Sequence, residues 1–299
     1  KIIKNHSFNI VLILILIIGS FLRIYNINFE DLWIDEISTF WISNPNINFE
    51  TSYKNNSSLE VQPFFYNFLM KIYFSFLGYK VDYGRYVSAI FSTLSILSVS
   101  YISWTISKNK SYLLTAFLVS FNIFLISYAQ ELRVYSILFF FISLTIIFIL
   151  QSLKKENFFN IFFLNFTFIF SIFLHPFSLI LLFSTILYLL LIFLVKKILY
   201  KKIIYSLIGI SVIAIIYNLV HLINLVPDSS EAYFFLDNPN LKFITNMYFS
   251  KFFGSRILGL CFLFLFLFAL KFSIQKILAL REISFLFIFF LLSYVVPII

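Results

Sequence analysis

The chain has 299 residues, 61% hydrophobic and only 12% charged, with a formal net charge of +9. Soluble globular domains run at about 45–50% apolar and about 25% charged, so that class is excluded. The basic excess is scattered over short connections and forms no stripe, which argues against nucleic acid as a partner. One cysteine, Cys261, leaves no pair for an internal disulfide.

A spanning helix needs roughly 20 apolar residues to cross about 30 Å of hydrocarbon. The chain-order reading predicts spans over 8–25, 84–106, 111–129, 133–153, 157–174, 176–195, 203–224, 256–274 and 283–299, the last cut short. The expected fold class is an all-α integral membrane protein, a polytopic bundle of about nine spanning helices, read as one membrane domain over 1–299. The first run follows Lys1 and Lys4 but lacks a small-residue cleavage site, so it reads as a span and not a signal peptide. The chain starts at Lys1 and stops at Ile299 within an apolar run, and reads as a fragment that continues C-terminally.

Charge sets the expected sidedness. One set of connections holds 13 of the 22 basic residues, including Lys108, Lys110, Lys154, Lys155, Lys196, Lys197, Lys201 and Lys202, and only two acids, Glu156 and Glu282. The other set holds 11 of the 13 acids. Basic connections stay in the cytoplasm. The acidic connections are therefore expected outside, in a multi-pass protein of the cell membrane.

Two of the outer connections are long, 26–83 and 225–255. In the first, Asp31 is expected to cap a helix over Leu32 to Ser43, with Trp33, Ile37, Phe40 and Trp41 forming one apolar stripe. A helix this short lies in the membrane plane, with Asp35 and Glu36 off the stripe and aimed away from lipid. A second in-plane helix is expected from Pro63 to Gly78, and a third, amphipathic from Leu241 to Phe253, in the 225–255 loop.

The ionisable residues at the outer rim carry the chemistry. Arg133 and Glu131 stand where the fourth span begins, and charges near hydrocarbon are costly and often functional. An arginine fork suits a phosphate. A local Glu131–Arg133 pair or an interface anchor fits the same positions. The adjacent acids Asp35 and Glu36 suit general-base work if burial or like charge raises a pKa, and equally suit a solvated helix face. His175 opens the sixth span as a ligand or an interface residue. His6 and His221 read as bland, and no His or Cys spacing marks a metal site.

Five stretches, in order, resemble the bacterial members of the GT-C glycosyltransferases, in particular the protein O-mannosyltransferase-like family. DLWIDEIST at 31–39 is similar to its first-loop W-x-D-E segment, and VQPFFYNFLMKIYFSFLG at 61–78 to its H-P-P-L-Y stretch. GRYVSAIFS at 84–92, SYAQELRVYSILFFF at 127–141 and LHPFSLILL at 174–182 resemble the second-span start, the Y-S-Q-E-A-R-x-Y pattern and a later T-H-Y segment. The resemblance covers roughly residues 10–195. It departs at Gln62, where the family usually has His, at Phe64 for the second Pro, and at Pro176 after His175.

The resemblance implies inverting transfer of a sugar from a polyprenyl-phosphate donor to a glycan, lipid or protein acceptor at the outer face. Asp35 would be the base, Glu36 would support it or help bind a metal or the acceptor, and Arg133 would be the lipid-phosphate ligand with Glu131 orienting it. His175 would assist at the phosphate. A divalent metal is an open question on this reading. The alternative from another class is a multi-spanning transporter or lipid flippase.

Overall fold

The computed structural model describes residues 2–107, 110–225 and 281–295, with short pieces between 246 and 268. Every α-helix and turn among the described residues agrees with an all-helical protein, and none of these residues is in a strand. The chain divides into two compact units. Unit 1 takes in Lys1–Leu144, Phe173–Pro176 and Ile216–Leu236; unit 2 takes in Thr145–Ile172, Phe177–Ile215 and Asp237–Ile299.

Four helices are long and apolar enough to cross a membrane: α5 (Val81–Ser107), α8 (Tyr135–Lys154), α10 (Ser178–Lys196) and α11 (Lys201–Asn224). The expected span 111–129 is instead two helices, α6 (Ser111–Ser120) and α7 (Ile123–Ala129), bent by 56°. The break has a local cause. Asn122 leaves the helical region at ψ 115 and its side chain accepts the Leu125 N–H, so it starts a new helix. Counting that pair as one span gives five. The expectation of about nine also took in α1 (Ile2–Ile24), whose apolar stretch is only Ile10–Ile24, and the 17-residue α9 (Phe158–Leu174). Of the last two expected spans, 256–274 is described at 256–261, 263–264 and 267–268, all in helix. The 283–299 segment is described as far as the end of α12 (Arg281–Val295). The 225–255 loop and its helix lie outside the described residues, apart from Leu225, Asn246 and Ser255.

The first long connection is three short helices: α2 (Ile34–Ile42), α3 (Phe49–Leu59) and α4 (Phe65–Leu77). Asp31 does not cap α2, which starts later, after an extended Trp33. The apolar stripe stays outward, with Trp33, Ile37 and Trp41 exposed. The opposite face, Glu36, Thr39 and Ile42, is buried. α4 matches the expected second helix and ends at Gly78, whose φ of 102 disfavours a side chain. α3 was not anticipated, because its sequence FETSYKNNSSL has no apolar stripe. It is capped by Asn48, which accepts the Thr51 N–H at 2.7 Å. Its buried face is polar: the Asn67 amide donates to Asn56, and Lys71 donates to Ser52 and to the Asn44 and Ile47 carbonyls.

Inside unit 1, α1, α5 and the α6–α7 break meet at Gly19. A Cβ there would lie 2.8 Å from Ile96 Cδ1 and from Ser120 Oγ. One turn on, Arg23 is fully buried and fans out over oxygens. It donates to Gly19 O, Ser120 O, Val119 O and Ser92 Oγ at 2.8–3.1 Å. The carbonyls that end α6 thus gain charged donors in place of the helix bonds they lack.

Candidate functional site

The site lies in unit 1 and begins with two arginines that arrive on different elements. Arg85 sits in the first turns of α5, 4% exposed. It donates to both carboxylate oxygens of Glu36, at 3.0 and 2.7 Å, and to the Ile27 and Glu30 carbonyls at 2.9 Å. Glu36 Oε1 also accepts the Leu132 N–H at 2.6 Å. Glu36 is therefore a fully committed buried carboxylate, with a fork–fork pair on one side and a backbone amide on the other. This places it in a structural tie between α2, α5 and the turn before α8.

Arg133 stands in that turn. Its Nη1 donates to the Asp35 carbonyl (2.9 Å), Thr39 Oγ1 (2.8 Å) and Glu60 Oε1 (2.8 Å), and its Nη2 to Glu60 Oε2 at 3.3 Å. The Asp35 carboxylate lies 3.8 Å from Nη2. Nη1 has two hydrogens for three acceptors, while the buried Nε has no partner. Arg133 and Glu60 are nearly fully buried, whereas the Asp35 side chain is 43% exposed. Asp35 is thus the accessible carboxylate beside a buried guanidinium.

The Glu131 carboxylate does not hydrogen-bond Arg133, whose backbone N–H donates to the Glu131 carbonyl at 2.9 Å. Its Oε2 is buried and without a partner. Burial, followed by the nearby Glu36 carboxylate, pushes the Glu131 carboxyl up to about 7. His175 lies in the turn between α9 and α10, its ring 6.0 Å from that of Tyr135. Burial, with the charge of Arg133 second, pulls its imidazole down to about 4, so it is neutral at pH 7. The Arg133 guanidinium carbon is 5.9 Å from the Tyr135 ring centre, within cation–π range.

All five residues singled out from the sequence, Asp35, Glu36, Glu131, Arg133 and His175, fall in this one unit. The sequence reading gave no role to Glu60 or Arg85. The signal for Arg85 was present, an arginine one residue after a glycine at the start of an apolar helix. Glu60 carried no signal beyond an acid before Gln62 and Pro63. His221, read as bland, reaches back with Nε2 2.7 Å from the Val61 carbonyl, at the foot of the Glu60 segment.

Among the described residues no three His, Cys, Asp or Glu side chains gather as metal ligands. Glu36 and Glu60 are each spent on an arginine, so the donor set does not fit a divalent cation. Chemically, the arrangement offers one half-exposed carboxylate, one buried cation, and a neutral imidazole. No known family and no curated protein matches the chain.

Proposed function

We propose that this chain is a membrane glycosyltransferase that moves a sugar from a polyprenyl-phosphate donor to an acceptor hydroxyl at the outer face of the cell membrane, with inversion. One observation carries the reading: Asp35 is a half-exposed carboxylate beside the buried Arg133 guanidinium, and their 3.8 Å separation has to open to admit the sugar between base and leaving group. Asp35 takes the proton of the acceptor hydroxyl as its oxygen bonds to the anomeric carbon. The bond from that carbon to the phosphate oxygen breaks, and the lipid phosphate leaves with the electron pair. The oxocarbenium-like transition state needs a base on one side and positive charge at the leaving group on the other. Arg133 supplies that charge, and a neutral His175 serves only as a hydrogen-bonding partner. Glu36 acts through Arg85 and Leu132 to hold α2 in place, a positioning role. The phosphate takes over the place of Glu60 on Arg133.

The test is transfer of label from a polyprenyl-phosphate hexose in membranes holding a full-length form. Asp35→Asn is expected to insert normally and to lose transfer by a factor of at least about 100, the usual share of a general base. Equal transfer by both forms removes Asp35 as the base. Absence of transfer from every donor, with the protein inserted, removes the glycosyltransferase reading.

A second reading, a transporter or lipid flippase, has one observation in its favour. The α6–α7 break is the kind of discontinuous helix on which transporters build substrate sites. Here the carbonyls at the break, Val119 and Ser120, are already taken by Arg23. Counterflow uptake in proteoliposomes separates the two readings.

A further inference from the structure

Unit 2 carries a feature that the proposed chemistry leaves unused. Between α10 and α11 runs a crevice of about 400 Å³. Its walls are apolar, among them Ile186 and Phe193 from α10 and Ile208 and Val212 from α11. Ser211, which also lines it, already donates to the Leu207 carbonyl at 2.7 Å. From Ile204 to Ile215 the crevice follows α11 for about 16 Å at the helical rise. That is about one leaflet of hydrocarbon.

Four exposed lysines, Lys196, Lys197, Lys201 and Lys202, stand at its Phe193–Leu199 end. The Lys197 ammonium lies 5.9 Å from the centre of the Phe193 ring, so a lysine is held at the mouth by a residue of the wall. Glu156, which reaches the start of α11 from the stretch between α8 and α9, is engaged otherwise. Its carboxylate accepts the Ile203 N–H and its carbonyl accepts from Lys202. Lys196, Lys197 and Lys201 have no carboxylate partner among the described residues. Lys201 and Lys202 open α11, where the helix dipole disfavours cations, so helix stability does not account for them. Retention of basic connections on one side accounts for lysines in this loop, but not for an apolar crevice that ends among them.

We propose that this crevice is a binding site for an anionic diacyl phospholipid, with one acyl chain along α10 and α11 and the headgroup phosphate among Lys196, Lys197 and Lys201. Charge complementarity selects the occupant: an apolar slot one leaflet deep that ends at lysines with no carboxylate partner among the described residues fits a tail joined to an anion.

The test is thermal unfolding of the purified full chain in neutral detergent, titrated with dioleoylphosphatidylglycerol, dioleoylphosphatidylcholine or inorganic phosphate. Phosphatidylglycerol is expected to raise the unfolding temperature at concentrations well below those at which phosphatidylcholine acts, and inorganic phosphate to leave it unchanged. The combined Lys196→Gln, Lys197→Gln, Lys201→Gln variant is expected to weaken the phosphatidylglycerol response roughly a hundredfold. Val212→Trp, which fills the slot and keeps the lysines, is expected to abolish it. Equal responses to the two lipids overturn the site, as does an unchanged response in both variants. Displacement of phosphatidylglycerol by equimolar polyprenyl phosphate overturns the choice of occupant.

Discussion

Replacing Glu36 with Gln separates a structural carboxylate from a chemical one. The change leaves Arg85 buried with half of its charged partner gone, and such losses cost about 3–5 kcal/mol. The unfolding temperature of Glu36→Gln is therefore expected to fall well below that of Asp35→Asn, whose side chain is half-exposed. Glu60→Gln is expected to release Arg133 and lower the donor KM, with kcat less changed; a raised KM removes Glu60 as the competitor of the phosphate. Glu131 has a pH signature. Its folded pKa, about 7, lies above the ordinary carboxylate value. Its contribution is whole at pH below the unfolded value and is lost as pH rises through about 7. The Glu131→Gln variant is expected to show a smaller fall in unfolding temperature between pH 5 and pH 8 than the parent. His175 works the other way: its contribution is whole above the unfolded value of 6.5 and is lost as pH falls from there through about 4, a change that overlaps the acid half of that comparison and is common to both forms. Asp35 and Arg133 stand out in the sequence as ionisable residues beside apolar runs, and their roles rest on the family resemblance. The pairing of each arginine was not legible, because Glu36–Arg85 and Glu60–Arg133 are 49 and 73 residues apart in sequence.

At the scale of elements, hydropathy located the long helices to within a few residues, since each is a long apolar run. It joined α6 to α7 because the break changes no residue's polarity; only Asn122 marks it. It also passed over α3, whose buried face is Ser52, Asn56 and Ser57. That face gains from hydrogen bonds rather than from apolar area, and no periodicity records it. Helix contact also reaches the site through Gly84. A Cβ there would stand 2.3 Å from Leu132 Cδ1 and 3.1 Å from the Phe74 ring. Leu132 is fully buried and its N–H holds Glu36, so it has little room to yield. Gly84→Ala is expected to cost about 1–3 kcal/mol by overpacking. Transfer activity is expected to fall with it, while Gly209→Ala, which meets nothing within 4 Å, leaves both unchanged.

At the scale of the whole molecule, Arg85, Arg133, His175 and His221 all belong to unit 1, and in sequence each is separated from the next by the lysine-bearing stretches 108–110, 154–155 and 196–202. The expectation drawn from that alternation is a chain threading back and forth, with these four residues on one side. Cysteines placed at Asn28 and Lys155 are expected to label from opposite sides of intact cells; labelling from one side overturns the assigned sidedness. The same long separations bear on how the protein is made. Glu36 leaves the ribosome 96 residues before the Leu132 amide it will bind. At about 5–20 residues per second, that is roughly 5–20 s of synthesis. Through that interval α2 carries a carboxylate lacking one of its native partners, and Asp35 and Thr39 await Arg133. The network cannot close, therefore, until the start of α8 emerges.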